Sequence, residues 1–582
     1  MKLRFILFLF FVGWAIQGPF SLVAEIQNNE TDPLFYWVSF TDKADSPYTL
    51  SQPGVFLSQR SLLRRENQGI TLTESDLPVN PHYVDSLLND KAVQVVYVSR
   101  WFNGALVKTH LETSMNRVRQ FPFVSATLNV KPEAGKIRAP GAGDIKFGVH
   151  AGGLQMPSEA SEEVARQDKM PGARLMLPLD GPDYGESRQQ IEQLNGHFLH
   201  TQGFLGRGKH IAVFDSGFLN VDQLWVFASL WADGRVIGVR DFVEPGGNVF
   251  SSHNHGMAVL SVMAADSPGS LIGTAPEASY WLLRTEDVGS EYRIEEYNWL
   301  AAAEFADSAG VDIINSSLGY THFDDPDQNY TYADMDGKTS VVARAASLAF
   351  ERGMLVINSA GNYGAQDWQY IGSPADSPGA LAIGAVDENG IRTSWSSIGP
   401  TADGRIKPGV MARGLRVSTV NPYNGVSAVN GTSFSAPLIS GLAACLWEKY
   451  PWLGAADVVG LIIRSASQYR EPDNFMGYGI ADFEKAASIP GMGMKQQSLS
   501  LFPNPISPES SLDFFSDASY AMDVDLINMK GEVVYSMNHI PVDVGFNQIR
   551  AFAGISHLPQ GIYLVRLTGN NFTRSIKALK VK

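Results

Sequence analysis

One cysteine in 582 residues, Cys445, leaves no partner for an internal disulfide. It lies in an apolar, helix-like run and reads as a small core residue. Stability must then come from burial, with bound calcium left open as a further contribution. Positive charge is also scarce. Forty-five Lys and Arg stand against sixty Asp and Glu, a formal charge of −15. That balance excludes nucleic acid and anionic membrane surfaces as natural partners. Long apolar runs are missing beyond the N-terminus, where Phe5 to Ile16 is too short to span a membrane comfortably. Lys2 and Arg4 precede that run, and Ser21 to Ala24 offers a small residue for cleavage. Residues 1–24 therefore read as a signal peptide, with a retained signal anchor as the alternative. No cysteine lies nearby to carry a lipid. Two motifs are absent as well. No HExxH-like metal pattern occurs, and Gly337-Lys338-Thr339 lacks the upstream glycine of a phosphate loop.

What is present is a long chain, 44% hydrophobic and 11% aromatic, enough for three or four units with a large core. Asn430-Gly-Thr-Ser-Phe-Ser-Ala-Pro437 brings Ser433 to the start of an apolar run of helical character. Free N–H groups and the positive dipole end gather at such a start, which suits a nucleophile whose reaction creates an oxyanion. An ordinary helix N-cap is the alternative. Upstream, the apolar run Ile211 to Phe214 reads as a buried parallel strand ending at Asp215 and turning at Gly217. Polar residues at such strand ends form sites in α/β folds, although a helix-capping aspartate fits the pattern too. His253-Asn-His-Gly256 opens a third segment, placing His255 in the first turn of a helix. A structural histidine or a metal pair is the other reading there.

Acid, base and nucleophile thus fall in the order Asp215, His255, Ser433, the order of subtilisin. Whole local sequences match, since VFDSG, HGMAVLSVMA and GTSFSAP closely resemble the three motifs of the subtilisin-like serine proteases. Ile313 to Gly319 (IINSSLG) and Asn358 to Gly364 (NSAGNYG) resemble two supporting segments. The resemblance implies a doubly wound, mostly parallel α/β sheet and a serine endopeptidase. It implies a catalytic triad of Asp215, His255 and Ser433. Asn362 and the Ser433 N–H would form the oxyanion hole. Ser317, Leu318 and Gly319 would pair with the substrate backbone, and Ser359, Ala360 and Gly361 would wall the pocket. No cofactor is required by it, and no metal ligand is assignable. Departures from the pattern are Ala258 in the His motif, Phe434 and Leu438 in the Ser motif, and Gly409 and Arg413 further on. They are expected to alter packing or loop shape only. The alternative function is an inactive surface adhesin or scaffold on the same fold.

The flanks extend the expectation. Residues 25–131 alternate strands (Leu34 to Phe40, Val93 to Ser99, Ala105 to His110) with helical stretches near Val55 to Arg65 and Ser114 to Phe121. This α+β pattern resembles a subtilase propeptide, which implies an intramolecular inhibitor and folding template. An unrelated accessory domain is the alternative. Residues 132–183, rich in Gly, Pro and Ala, read as a linker holding the maturation sites. The peptidase domain is placed at 184–489. Within it, Tyr320 to Lys338 is an acidic, aromatic insertion that reads first as a surface loop, with a calcium site as the alternative because Asp334, Asp336 and Gly337 resemble half of a calcium loop with too few ligands. Residues 498–582 read as a small all-β sandwich. The FPNP opening at Phe502, LPQGIYLVRL and the final KALKVK resemble the sorting domain of type IX secretion. That implies protein or peptide substrates, the secretion machinery as a partner, and a secreted or surface location in a Gram-negative bacterium. A binding β module is the alternative for the tail.

Overall fold

The computed structural model describes residues 32–132, 181–488 and, apart from positions 503, 509, 517–518, 543–544 and 570–571, residues 499–581. The expected signal peptide and most of the expected linker lie outside these residues.

The first unit is a four-stranded antiparallel sheet in the order β2-β3-β1-β4. Its strands are β1 (Leu34–Phe40), β2 (Gln94–Ser99), β3 (Gly104–Thr109) and β4 (Val124–Lys131). Its helices are α1 (Gln59–Gln68), α2 (Pro81–Leu88) and α3 (Glu112–Val118). Alternation along β1 sorts the side chains. Tyr36, Val38 and Phe40 join the unit's own core with Leu87, Met115 and Val118. Trp37 faces the other way, into a core shared with the central unit. Helix α1 lies later than expected. The Ser58 hydroxyl accepts the Ser61 N–H at 3.2 Å to start it, and Gly69, at φ 73°, ends it.

The central unit is built on seven strands, all paired in parallel. They are β5 (His210–Asp215), β6 (Val236–Asp241), β7 (Ser279–Arg284), β8 (Ile313–Ser316), β9 (Leu355–Ser359), β10 (Ala380–Val386) and β11 (Val410–Arg413). Their order is β11-β10-β9-β8-β5-β7-β6. From β5 the chain crosses to the edge strand β6, returns through β7 beside β5, and then runs outward on the other side through β8 to β11, so the crevice at the C-terminal ends of β5 and β8 is a topological switch point. Both faces are covered, as a parallel sheet requires. Ile211 and Val213 of β5 pack with α4 (His255–Ala264) and α7 (Thr432–Lys449). Ala212 and Phe214 pack with α5 (Ile294–Ala309) and α6 (Val341–Glu351). A hairpin of β12 (Val417–Val420) and β13 (Val426–Val429), and helix α8 (Ala455–Ser465), lie against the α7 side of the core.

The first unit sits on α5. Trp37 stacks on Tyr297 with centroids 4.7 Å apart. Asp307, fully buried on α5, receives the guanidinium groups of Arg64, Arg65 and Arg100. Glu304, one turn earlier, accepts the backbone N–H groups of Arg100 at 2.9 Å and Trp101 at 3.2 Å. Arg60 reaches Asp312 at the start of β8.

The last unit has two antiparallel sheets around one core of Leu512, Phe514, Val524, Leu526, Val565 and Leu567. One is ordered β14-β15-β18 from Ser500–Phe502, Ser511–Ser516 and Gly545–Ile549. The other is ordered β17-β16-β19-β20 from Val533–Val542, Tyr520–Ile527, Gly561–Gly569 and Phe572–Lys580. Period-two burial along β16 and β19 explains why the tail was legible as a sandwich. Among the described residues, no helix is long and apolar enough to cross a membrane.

Candidate active site

Asp215 is the last residue of β5 and is fully buried. His255 opens α4, and its Nδ1 lies 2.8 Å and 3.0 Å from the two carboxylate oxygens of Asp215. The N–H and hydroxyl of Ser216 donate to the same carboxylate at 2.8 Å and 3.1 Å. This close approach depends on Gly256. A Cβ there would lie 2.4 Å from the Gly217 carbonyl oxygen and 2.8 Å from Cβ of Asp215.

Ser433 is the second residue of α7, as the NGTSFSAP motif led us to expect. Gly431 before the helix has φ 146°, a conformation that L side chains rarely adopt. The Ser433 hydroxyl donates to the Ser317 carbonyl at 3.3 Å, and the Ser317 hydroxyl donates to the Ser433 carbonyl at 2.8 Å. The ring of Phe434 lies 5.5 Å from the imidazole of His255. Asn362 accepts the Thr432 N–H at 3.0 Å and the Thr432 hydroxyl at 3.1 Å. The three distant motifs and Asn362 therefore meet at the C-terminal edge of β5 and β8.

The expected substrate-lining residues lie beside them. Ser317 and Leu318 are buried and Gly319 is half-buried. The Leu318 carbonyl accepts the Asn358 amide at 2.9 Å and the Ser359 hydroxyl at 3.5 Å. Ala360 donates its N–H to Ile383 at 2.9 Å, and Gly361, at φ 105°, donates to the Thr432 hydroxyl at 3.2 Å. The motif departures are absorbed by packing. Ala258 and Leu438 are core residues, a Cβ at Gly409 would meet Leu381 at 2.6 Å, and Arg413 binds Gln189 at 3.1 Å.

Among the described residues, no group of three or more His, Cys, Asp or Glu is arranged to hold a metal ion. His253 meets the Ser216 hydroxyl at 3.0 Å. Burial lowers its pKa below the ordinary value, helped by the neighbouring His255. Asp334 caps a short turn through the Thr331 N–H and hydroxyl. Asp336 accepts the N–H groups of Lys338 and Thr339 at 2.8 Å each. Both carboxylates of the suspected calcium half-loop are thus engaged locally.

Sequence reasoning missed the roles of Thr432, Ser216 and His253. It also missed the acidic loop from Thr285 to Tyr292, which holds Glu286, Asp287 and Glu291 and no basic residue. The signal was local charge. The Thr285 N–H donates to the Asp215 carbonyl at 2.9 Å, so the loop starts at the site.

A parallel α/β sheet carrying a carboxylate–imidazole pair and a helix-start serine at its switch point defines the class of subtilisin-like serine hydrolases. Residues 206–479 match the Subtilase family, and the chain belongs to it as a subtilisin-like serine protease. Residues 35–140 match the Peptidase S8 propeptide domain of Bacteroidota, and residues 500–582 match the secretion system C-terminal sorting domain. Subtilisin DY of Bacillus licheniformis is 28% identical over 50% of this chain and 94% of its own. The subtilisin of Bacillus pumilus is 30% identical over 51% and 97%. The crystal structure of MycP1 from Mycobacterium smegmatis aligns with 54% of this chain and 92% of that chain, at 22% identity and a TM-score of 0.42. The sorting domain marks the protein for type IX secretion to the cell surface or beyond.

Proposed function

We propose that the protein is an exported serine endopeptidase made as a zymogen, with Asp215, His255 and Ser433 as its catalytic triad. The observation that carries this reading is the two-oxygen contact of Asp215 with His255 Nδ1, at 2.8 Å and 3.0 Å. It fixes the tautomer that leaves Nε2 as the base. His255 takes the Ser433 proton as the hydroxyl oxygen attacks a peptide carbonyl carbon. The carbonyl oxygen becomes an oxyanion, received by the Asn362 amide and the Ser433 N–H at the start of α7. His255 then gives the proton to the leaving amine as the C–N bond breaks. Water, deprotonated by the same imidazole, releases the acyl group from Ser433. Ser317, Leu318 and Gly319 pair with the extended substrate backbone, and Ser359, Ala360 and Gly361 line the pocket for its side chain.

The N-terminal unit acts as intramolecular inhibitor, seated on α5 through Asp307 and Glu304. The tail engages the type IX machinery. No cofactor is needed for these steps. Purified mature protein is expected to hydrolyse denatured protein and to react with a serine-directed phosphonate. Full retention of activity in Ser433→Ala would refute the assignment.

A further inference from the structure

Lys131 is the last residue of β4, and its chain continues through Pro132 out of the sheet. Its ammonium does not project into solvent alone. It lies 3.3 Å from an Asp287 carboxylate oxygen and 3.1 Å from the Ser290 hydroxyl, and 5.8 Å from the ring centroid of Tyr292. An anion, a hydroxyl acceptor and an aromatic face can each receive a primary ammonium.

The receiving loop is held in shape by its own bonds. The Asp287 N–H donates to Glu295 at 2.8 Å. The Gly289 N–H and the Ser290 hydroxyl donate to the Asp287 carboxylate at 2.9 Å and 2.7 Å. Burial pushes that carboxyl up, but the Ser290 and Gly289 bonds and the Lys131 charge outweigh burial and hold it below its ordinary value. The loop also forms one wall of the cleft. Its first residue, Thr285, bonds Asp215. Tyr320, directly after Gly319, donates its hydroxyl to Glu286 at 2.5 Å. Asp324 and Glu291 exchange backbone and carboxylate bonds at 2.8 Å and 2.9 Å. The walls Thr285 to Tyr292 and Ser317 to Asp324 thus run side by side, with Lys131 against the first.

We infer that Asp287, Ser290 and Tyr292 form a specificity subsite for a basic side chain on the acyl side of the scissile bond, occupied in the zymogen by Lys131. This rests on the triad reading above. The propeptide precedes the bond that frees it, so its Lys131 approaches as an acyl-side residue would. Asp287 and Lys131 are 27% and 28% exposed, so the subsite opens to water and favours the cation by a modest, salt-sensitive margin.

The test uses mature enzyme processed from the full chain, with competent Ser433 counted first by phosphonate titration. A preparation that does not titrate speaks against the Ser433 assignment and not against the subsite. Internally quenched peptides carry one Lys, norleucine or Glu at each of the five positions before the scissile bond. At one position Lys is expected to exceed norleucine by roughly fivefold to twentyfold in kcat/KM, with Glu the poorest. That Lys/norleucine ratio should shrink as salt is raised from about 0.05 M to about 0.5 M. It should fall to about one in Asp287→Asn, which keeps an oxygen for the Gly289 N–H. A flat wild-type profile overturns the subsite, as does a Lys preference that survives in Asp287→Asn. If Asp287→Asn does not titrate, the wild-type ratio and its salt dependence decide alone.

Discussion

Oδ1 of Asn362 accepts the backbone N–H of Thr432 at 3.0 Å, which ties the amide to the residue before Ser433. A side-chain amide has one acceptor atom and one donor atom. With the acceptor committed to the helix start, Nδ2 is the atom left to donate to the proposed oxyanion. Asn362→Leu removes that donor and also the acceptor of the Thr432 N–H and hydroxyl. The expected loss in kcat is about 10² to 10³, with KM nearly unchanged. This magnitude is borrowed from the corresponding position in a subtilisin. Steady-state kinetics on a single peptide check it, and an equal rise in KM would point to substrate binding instead.

Gly256 permits the contact between α4 and the end of β5. Gly256→Ala places a methyl carbon 2.4 Å from the Gly217 oxygen and 2.8 Å from Cβ of Asp215. Something must shift, and the movable element is the first turn of α4 with His255. A destabilisation of about 1–3 kcal/mol is expected, as for other overpacked positions. A fall in kcat should accompany it. Thermal unfolding and active-site titration separate the two effects.

Asp307 is the point on which the zymogen interface turns. Burial pushes its carboxyl up, yet Arg65, Arg100 and Arg64 together hold it well below the usual carboxylate range. A depressed folded pKa stabilises above the ordinary aspartate value of about 3.9, and that stabilisation is lost only as pH falls below it. The N-terminal unit should therefore stay seated in mild acid near pH 5. In an intact Ser433→Ala chain, Asp307→Ala leaves Arg64 and Arg100 without their anion and Arg65 with Asp76 alone. A loss of about 3–5 kcal/mol is expected in denaturant titration. With Ser433 restored, the lag before activity should shorten.

Glu296 gives the opposite pH sign. It is fully buried on α5, and burial raises its carboxyl to about 7, against the Tyr330 hydroxyl bond, the Arg293 charge and the Val341 N–H. Between about pH 4.3 and that value, the folded chain keeps a proton that the unfolded chain has released. Stability must then fall as pH rises through this window, by up to about 1.4 kcal/mol per unit from this group. Glu296→Gln should flatten that slope. Urea midpoints at pH 5 and pH 7 measure it, and an unchanged slope would remove Glu296 as the cause.

Much of this was legible in sequence wherever the signal was local. Alternation marked β1 and the tail strands, and each of the segments at Asp215, His255 and Ser433 carried its own few-residue signature. Helix α2 went unread, although its Asn80 side chain accepts the His82 N–H and Pro81 occupies the first turn. Contacts between distant positions had no such signature. Lys131 and Asp287 are 156 residues apart, and Arg64 and Asp307 are 243 apart. A lysine ending a strand and an aspartate in a helix look ordinary until the fold brings their partners together.

Helix α7 has sixteen of its eighteen residues buried, and Ser433 is the second of them. A helix so enclosed opens only when the parallel sheet itself comes apart. On the proposed mechanism, a copy whose sheet has come apart has lost the placement of Ser433 and becomes a substrate and not an enzyme.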